Sequence, residues 1–336
     1  MIKEAIKKLV ERESLTIDES SIVMEEIMNG ESTPAQLGSF ITALRMKGET
    51  ADEIIGLAKT MKAKAIPVAF NQPSLDTCGT GGDCAGTFNI STTAAFIAAG
   101  AGIKVAKHGN RAMSSQCGSA DVLEALGVKI DCSAEQVRKC IEEAGIGFMF
   151  APAFHPAMKY AAATRREIGI RTVFNILGPL TNPAGAKYQV LGVPSDALVE
   201  KLATVLNGLG CEHALVIHGE DGIDELTTTG RTHICEVNKG VINCYYVKPE
   251  DFGLRKNSAI NLKGGDAREN ARLLRQILNG DKVPQRDVVL LNAAAALIAG
   301  NKTTNLADGV RLAAEIIDNG SAKNKLEQMI QVSNSC

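Results

Sequence analysis

Tryptophan is absent and aromatic residues make up only 4% of the chain. The interleaving of aromatic and basic residues that grips single-stranded nucleic acid is therefore missing. No basic block stands out and the net charge is −2. Phosphate-backbone binding lacks its electrostatic footprint, and no nucleic-acid partner is expected. The longest apolar run, 292–299 with its flanks, is too short to cross a bilayer. Met1 to Arg12 is amphipathic and charged, without a signal peptide's apolar core or small-residue cleavage site. No membrane partner and a cytoplasmic location are the expectation. No Cys-x-x-Cys pair occurs among the 9 cysteines, and Cys78 and Cys84 have no ligand at metal spacing. All read as reduced thiols packed as small hydrophobes. His213, His218 and His233 show no ligand spacing either. The chain has no Gly-Lys pair, hence no Walker A motif, and no Gly-x-Gly-x-x-Gly.

What is there begins with size. A chain of 336 residues exceeds what one hydrophobic core usually serves, so two domains or one large α/β domain are expected. Up to about residue 65 the pattern is helical only. Ile2, Ala5, Ile6, Leu9 and Val10 make one apolar stripe; Ile17, Ser21, Met24, Ile27 and Met28 make the next, stopped at Asn29-Gly30. Thr33-Pro34 caps a third helix, and Thr50 with Glu53 forms the capping box of a fourth ending before Pro67. Beyond Pro67, strand-like pieces (75–78, 103–106, 128–130, 147–150, 188–193, 214–218) alternate with helical patterns at 133–144 and 196–209. That alternation predicts a largely parallel sheet covered by helices. A hairpin is expected over 232–237 and 241–247, turning at Asn238-Lys239-Gly240, and three closing helices over 267–278, 287–299 and 306–318. Gly178 to Pro183 looks like a rigid loop suited to a hinge.

The chemistry gathers in a few segments. Gly79-Thr80-Gly81-Gly82-Asp83 follows a strand, and glycines let backbone N–H groups approach an anion closely. Ser91 and Thr92 then open an Ala-rich helix, whose N–H donors and dipole favour anions. Lys107-His108-Gly109-Asn110-Arg111 follows the next strand, with Ser114-Ser115 adding donors; Gly109 permits an unusual backbone angle. Such devices suit a ligand with more than one phosphate, although a glycine turn alone is as often structural and a charged loop is often merely solvated. Asp224-Glu225, on a loop past the strand at 214–218, suits Mg²⁺ beside phosphates. In isolation the pair reads as a solvated acidic loop. Arg165-Arg166 on a helix is either a carboxylate grip or a surface pair with Glu167. His155 is either a site residue or a helix-start residue satisfied by backbone.

Together these segments resemble the anthranilate phosphoribosyltransferase family. The resemblance covers almost the whole chain and rests on GTGGD (79–83), NISTT (89–93), KHGNRAMSS (107–115), GSADVLEALG (118–127), FAPAFHPAMK (150–159) and RTVFNILGPLTNPA (171–184). It implies a small N-terminal all-α domain, 1–66, completed by the 165–190 segment. It also implies an α/β catalytic domain, 67–336, with a central, largely parallel sheet like that of nucleoside phosphorylases. The implied reaction transfers the phosphoribosyl group of phosphoribosyl pyrophosphate to the amine of anthranilate, in tryptophan biosynthesis. The implied assembly is a homodimer through the α-domain.

Carried over by position, phosphoribosyl pyrophosphate contacts fall on Gly79, Gly82, Asp83, Thr87, Asn89, Ile90, Ser91, Thr92, Lys107, His108, Gly109, Asn110, Arg111, Ala112, Met113, Ser114, Ser115 and Ser119. Those to anthranilate fall on Gly79, His108, Asn110, His155, Arg165 and Gly178. Ser91, Asp224 and Glu225 would hold Mg²⁺, two ions per subunit. His108, Asn110 and Arg165 are the expected catalytic residues. Phe154 stands where the family often has a second His or Tyr, on the acceptor's path. The alternatives are an enzyme like pyrimidine nucleoside phosphorylase, or a relative that has lost catalysis and binds nucleic acid. Arg165-Arg166 argues against the first, and intact Asp224-Glu225 with the acidic net charge argues against the second.

Overall fold

A computed structural model describes residues 1–83, 85–112 and 116–335. The chain opens with helices α1 (Ile2–Val10), α2 (Ile17–Met28), α3 (Pro34–Lys47) and α4 (Ala51–Ala63). Capping boxes at Thr16/Glu19, Thr33/Gln36 and Thr50/Glu53 start the last three, satisfying backbone N–H groups that a helix leaves unpaired. Then follow β1 (Leu75–Gly79), α5 (Ile90–Gly100), β2 (Val105–Gly109), α6 (Ser119–Ala125), α7 (Ala134–Glu143) and β3 (Ile146–Phe150). Next come α8 (Ala151–Phe154), α9 (Lys159–Ile168), α10 (Phe174–Leu177), β4 (Tyr188–Gly192), α11 (Val199–Gly208) and β5 (His213–Gly219). The hairpin β6 (Thr232–Asn238) and β7 (Val241–Val247) precedes α12 (Ala267–Leu278), α13 (Arg286–Ala299), α14 (Leu306–Asp318) and α15 (Ser321–Asn334). Among the described residues, no helix is long and apolar enough to cross a membrane.

One sheet of order β3-β2-β1-β4-β5-β6-β7 forms the centre, parallel up to β5 and antiparallel beyond. β5 alternates Ala214 and Val216 toward one face with Leu215 and Ile217 toward the other, all buried, so it is covered on both sides. One cover is α5 with α12 to α15; the other is α11 together with the N-terminal helices. Ala161, Val173, Phe174, Ile176, Leu177 and Leu180 join that second core, and from Tyr188 the chain is strand β4. α5 carries Phe96 and a run of alanines with no charge, and everything from Thr92 to Ala99 is buried against β1, α13 and α15. Burying Phe96 alone contributes roughly 1.5–3 kcal/mol.

Three expectations change and one gains detail. Residues 128–130 form no strand; Val128 and Ile130 are buried in the core under α15. α15 itself escapes a periodicity reading, because its face is thin: only Ala322, Leu326, Met329 and Ser333 are buried. The rigid loop expected at Gly178–Pro183 is packed into the interior. Thr181 and Asn182 are buried, and the Asn182 amide donates to Asp76 Oδ2 and to the Ala106 carbonyl, both at 2.8 Å. Lastly, Cys235 and Cys244 are not reduced thiols; directly opposed across β6 and β7, they form a disulfide with Cα atoms 4.1 Å apart. Cys78, Cys117, Cys132, Cys140 and Cys211 remain thiols, while Cys84 and Cys336 lie outside the described residues.

Candidate active site

β1 leads one way to β2 and β3, while β4 leads the other way to β5. The crevice beyond the carboxyl ends of β1 and β4 is thus a topological switch point, where open α/β sheets bind ligands. Gly79 ends β1 opposite Gly192 at the end of β4. The loop after β1 turns through Gly81 and Gly82 at φ +65° and +83°, a region other residues rarely adopt. The loop after β5 brings Asp224 against both strand ends, and Gly81 N–H donates to its Oδ2 at 2.9 Å. A Cβ on Gly79 would lie 2.2 Å from Asp224 Oδ2, and one on Gly192 would lie 1.6 Å from the Asp224 carbonyl oxygen. The second clash is with backbone, which cannot swing aside. Gly192→Ala should therefore displace the acidic loop, raising the metal concentration needed for half-maximal activity at least tenfold, an effect of about 1.4 kcal/mol. An unchanged metal titration would show that the loop tolerates the displacement.

Glu225 reaches the start of α5, where Ser91 N–H donates to its Oε1 at 3.1 Å, while Thr77 Oγ1 donates to the Ser91 carbonyl. The acidic loop is clamped from behind. Asn292, on otherwise apolar α13, accepts from Leu226 N–H and donates to the Leu226 carbonyl. Glu225 is buried and Asp224 is half-buried, its carboxyl turned inward, with Asp83 beside them. Burial pushes Asp224 up to about 7 with Asp83's charge adding to it, and burial with Asp224's charge pushes Glu225 well above the usual carboxylate range. Asp83 Oδ2 is buried without a partner. The charge of Lys107 opposes the rise of Glu225 without cancelling it. Hard, crowded carboxylate oxygens with an orphaned acceptor fit an oxygen-seeking divalent cation such as Mg²⁺.

The other expected phosphate contacts are placed unevenly. Thr87 bridges to Lys263 beside the loop. Ile90 and Thr92 are buried, so they offer the crevice backbone rather than side chains. Asn89's amide is engaged with Cys117 and Asn270. Lys107 does not follow β2 but lies within it, buried, its ammonium donating to the Thr77 carbonyl. The expected strand ended three residues early, and the true register turns Lys107 into the sheet. Gly109 is also inside β2 and has no unusual φ; its bare Cα is required because a Cβ would meet Ser119 Oγ at 2.1 Å. Arg111 pairs with Asp121 and Glu124, on the far side of its loop. Asp121 Oδ2 accepts from Ala112 and Gly118 N–H, and Ser119 Oγ donates to the Asn110 carbonyl. Met113, Ser114 and Ser115 lie outside the described residues.

A second wall is drier. His108 and His155 are buried with ring centroids 5.0 Å apart. Burial holds His108 down to about 3 and His155 to about 4, so both are neutral near pH 7. His108 Nδ1 lies 3.2 Å from the Gly178 carbonyl, which makes Nδ1 the protonated nitrogen. Nε2 of each histidine is buried and unpartnered. Buried Asp76 accepts from His108 N–H and Asn182, and burial raises it to about 6. Arg165, on α9, lies 5.1 Å from the Phe174 ring centroid, and desolvation lowers its pKa. No acidic partner holds Arg165 among the described residues, and Arg166 faces solvent. Phe154 is 2% exposed and packs with Val68, Ala106 and Met149. Sequence reasoning missed Arg171, whose Nη2 donates to the Gly81 carbonyl at 2.7 Å and ties the glycine loop to the segment after α9.

The model described as "Glycosyl transferase family, helical bundle domain" matches residues 3–65, and "Glycosyl transferase family, a/b domain" matches 71–323. Anthranilate phosphoribosyltransferase of Dehalococcoides mccartyi is 60% identical over 100% of this chain and 99% of its own. The chain belongs to the anthranilate phosphoribosyltransferase family. The crystal structure of the Thermus thermophilus enzyme is similar at 46% identity and a TM-score of 0.93, over 98% of this chain and 99% of that one. The Saccharomyces cerevisiae enzyme in complex with PRPP and Mg is similar at 29% identity and a TM-score of 0.91, over 100% and 98%. The same yeast enzyme is also solved with 4-fluoroanthranilate.

Proposed function

We infer that this chain transfers the phosphoribosyl group of 5-phosphoribosyl 1-pyrophosphate to the amine of anthranilate, giving N-(5-phosphoribosyl)anthranilate and pyrophosphate in tryptophan biosynthesis. The observation that carries the reading is the Asp224–Glu225 pair, seated on the glycine loop and the start of α5, with Glu225 held above the usual carboxylate range despite Lys107. Ser91, Asp224 and Glu225 would hold Mg²⁺, two ions per subunit, which would supply positive charge for the departing pyrophosphate. The chain's own groups do the rest. The glycine loop at Gly79, Gly82 and Asp83 and the helix start at residues 89–92 would take the diphosphate, with the Ser91 N–H kept for Glu225, and Thr87, the 107–115 segment and Ser119 are assigned to the remainder of the donor.

As the C1–O bond breaks and the amine closes on C1, the sugar takes on oxocarbenium character. The aryl amine is already neutral, so no base is needed to free its lone pair. His108 Nε2, held as acceptor by the Nδ1 contact with Gly178, orients an amine N–H; at about 3 its pKa is too low for a strong base. Arg165 grips the anthranilate carboxylate, with His155, Asn110 and Gly178 shaping the pocket. Two units, 1–66 joined by the 165–190 segment and 67–336, frame the crevice. A homodimer through the helical unit, in the cytoplasm, completes the reading; exposed Val10 and Met46 there support a covered face.

Anthranilate fluorescence tests the reaction directly. It should fall only when enzyme, Mg²⁺ and phosphoribosyl pyrophosphate are all present, and should stay constant with any one omitted. Constant fluorescence with all three present would overturn the assignment.

A further inference from the structure

At the opposite end of the sheet from β3, the β6–β7 hairpin meets α11 in a cluster the transfer reaction does not use. Cys235 and Cys244 face each other across the hairpin, at the close Cα spacing of a ladder pair that exchanges no backbone hydrogen bonds. His233 lies two residues before Cys235 on the same strand face, and Glu200 stands on the first turn of α11. One donor atom from each of Glu200, His233, Cys235 and Cys244 falls within 4.8 Å of every other. Cys235 and His233 are buried, while Glu200 and Cys244 open the cluster to solvent.

The histidine is prepared in a specific way. Its Nδ1 is 2.6 Å from Asp196 Oδ1, and its ring stacks on Tyr246 with centroids 4.5 Å apart. A carboxylate on Nδ1 fixes the tautomer that leaves Nε2 as a lone-pair donor, the outer-shell arrangement of histidines that bind metals. Nε2 is turned to Cys235 Sγ at 3.8 Å. That is close to the roughly 3.5–3.7 Å edge expected between nitrogen and sulfur ligands of a tetrahedral zinc ion. Two sulfurs, one imidazole nitrogen and one carboxylate oxygen are also the donor types a borderline-soft divalent ion takes.

We propose that Glu200, His233, Cys235 and Cys244 form a site for a thiophilic divalent cation of the zinc class, opened by reduction of the Cys235–Cys244 disulfide. A dithiol reductant supplies two electrons and two protons; the S–S bond breaks, two cysteine thiols form, and the dithiol leaves as its own disulfide. Metal binding then releases the thiol protons to solvent, and the ion replaces the disulfide as the link between β6 and β7 while adding, through Glu200, a tie to α11. Disulfide and metal are alternative states of one site.

The test uses the full chain, reduced under anaerobic conditions with a phosphine and titrated with Co²⁺. One equivalent should give the intense near-ultraviolet thiolate-to-cobalt absorption and tetrahedral visible bands, both abolished by Zn²⁺. Unreduced protein should give neither. The oxygen ligands at Asp224 and Glu225 cannot produce a thiolate band, so the two locations are told apart. Cys244→Ser, at an exposed position, should lose most of the band. Asp196→Asn should weaken binding about 10–100-fold while leaving the thiol count unchanged. A reduced protein with both thiols titratable and no thiolate band overturns the proposal, as does an undiminished band in Cys244→Ser.

Discussion

Replacing Asp224 and Glu225 with Asn and Gln is expected to lower turnover by about 10²–10³-fold and, in the same protein, to raise the melting temperature measured without metal. Both effects come from one fact. The two carboxyls are buried together, and burial with neighbouring charge raises both above their ordinary values, Asp224 to about 7. An acid whose folded pKa is raised holds its proton more tightly when folded, so its contribution to stability is present at low pH and lost as pH rises through the folded value. The wild-type chain in chelator should therefore lose stability relative to the Asn/Gln variant between about pH 5 and about pH 8. Added Mg²⁺ should close that gap for the wild type and leave the variant unmoved. Thermal melts across pH, with and without Mg²⁺, read this directly. A gap that does not widen with pH would remove the carboxylates' burial as its cause, and an unchanged Mg²⁺ dependence of turnover would remove them from the metal site.

Arg165→Ala is expected to raise the KM for anthranilate by about 10–150-fold, the equivalent of the roughly 1.5–3 kcal/mol carried by hydrogen bonds to a charged group. The KM for phosphoribosyl pyrophosphate should stay within a factor of about two, far below the 1.4 kcal/mol of a tenfold change. The asymmetry is what the geometry predicts. Arg165 is partly buried over Phe174 with no acidic partner among the described residues, so its donors are free for a ligand carboxylate. Arg165→Lys should recover part of the loss, since an ammonium keeps the charge but not the two-pronged geometry. Equal damage to both substrates' KM values would show that Arg165 holds the fold instead.

Much of this fold was legible locally. Thr33 with Pro34 and Thr50 with Glu53 start helices where capping rules place them, and the hairpin turns at Lys239-Gly240 as its residues suggest. The glycine loop, the acidic pair and the start of α5 were legible as candidates, because each carries its own chemistry in a short segment. What escaped depends on partners far along the chain. Lys107 looked like a loop cation because nothing local reveals that β2 runs on to Gly109 and points the side chain at Thr77. Arg111 carries the same charge, yet Asp121 and Glu124 claim it. Asn292 reads as a stray polar residue in an apolar helix until the Leu226 backbone is seen opposite it. The Cys235–Cys244 pair likewise follows from ladder register, which spacing in the chain does not state.

The enclosure of α5 has a consequence for how the molecule is made. This helix leaves the ribosome early, but α13 and α15, which cover it, are among the last elements synthesised. At about 5–20 residues per second, its alanine-rich surface and Phe96 wait roughly ten to forty seconds for their partners. During that interval the nascent chain carries an apolar helix covered on its β1 side alone, with the faces that α13 and α15 will take left open. The same seclusion that fixes the helix start in the finished protein makes the unfinished one dependent on protection from its neighbours.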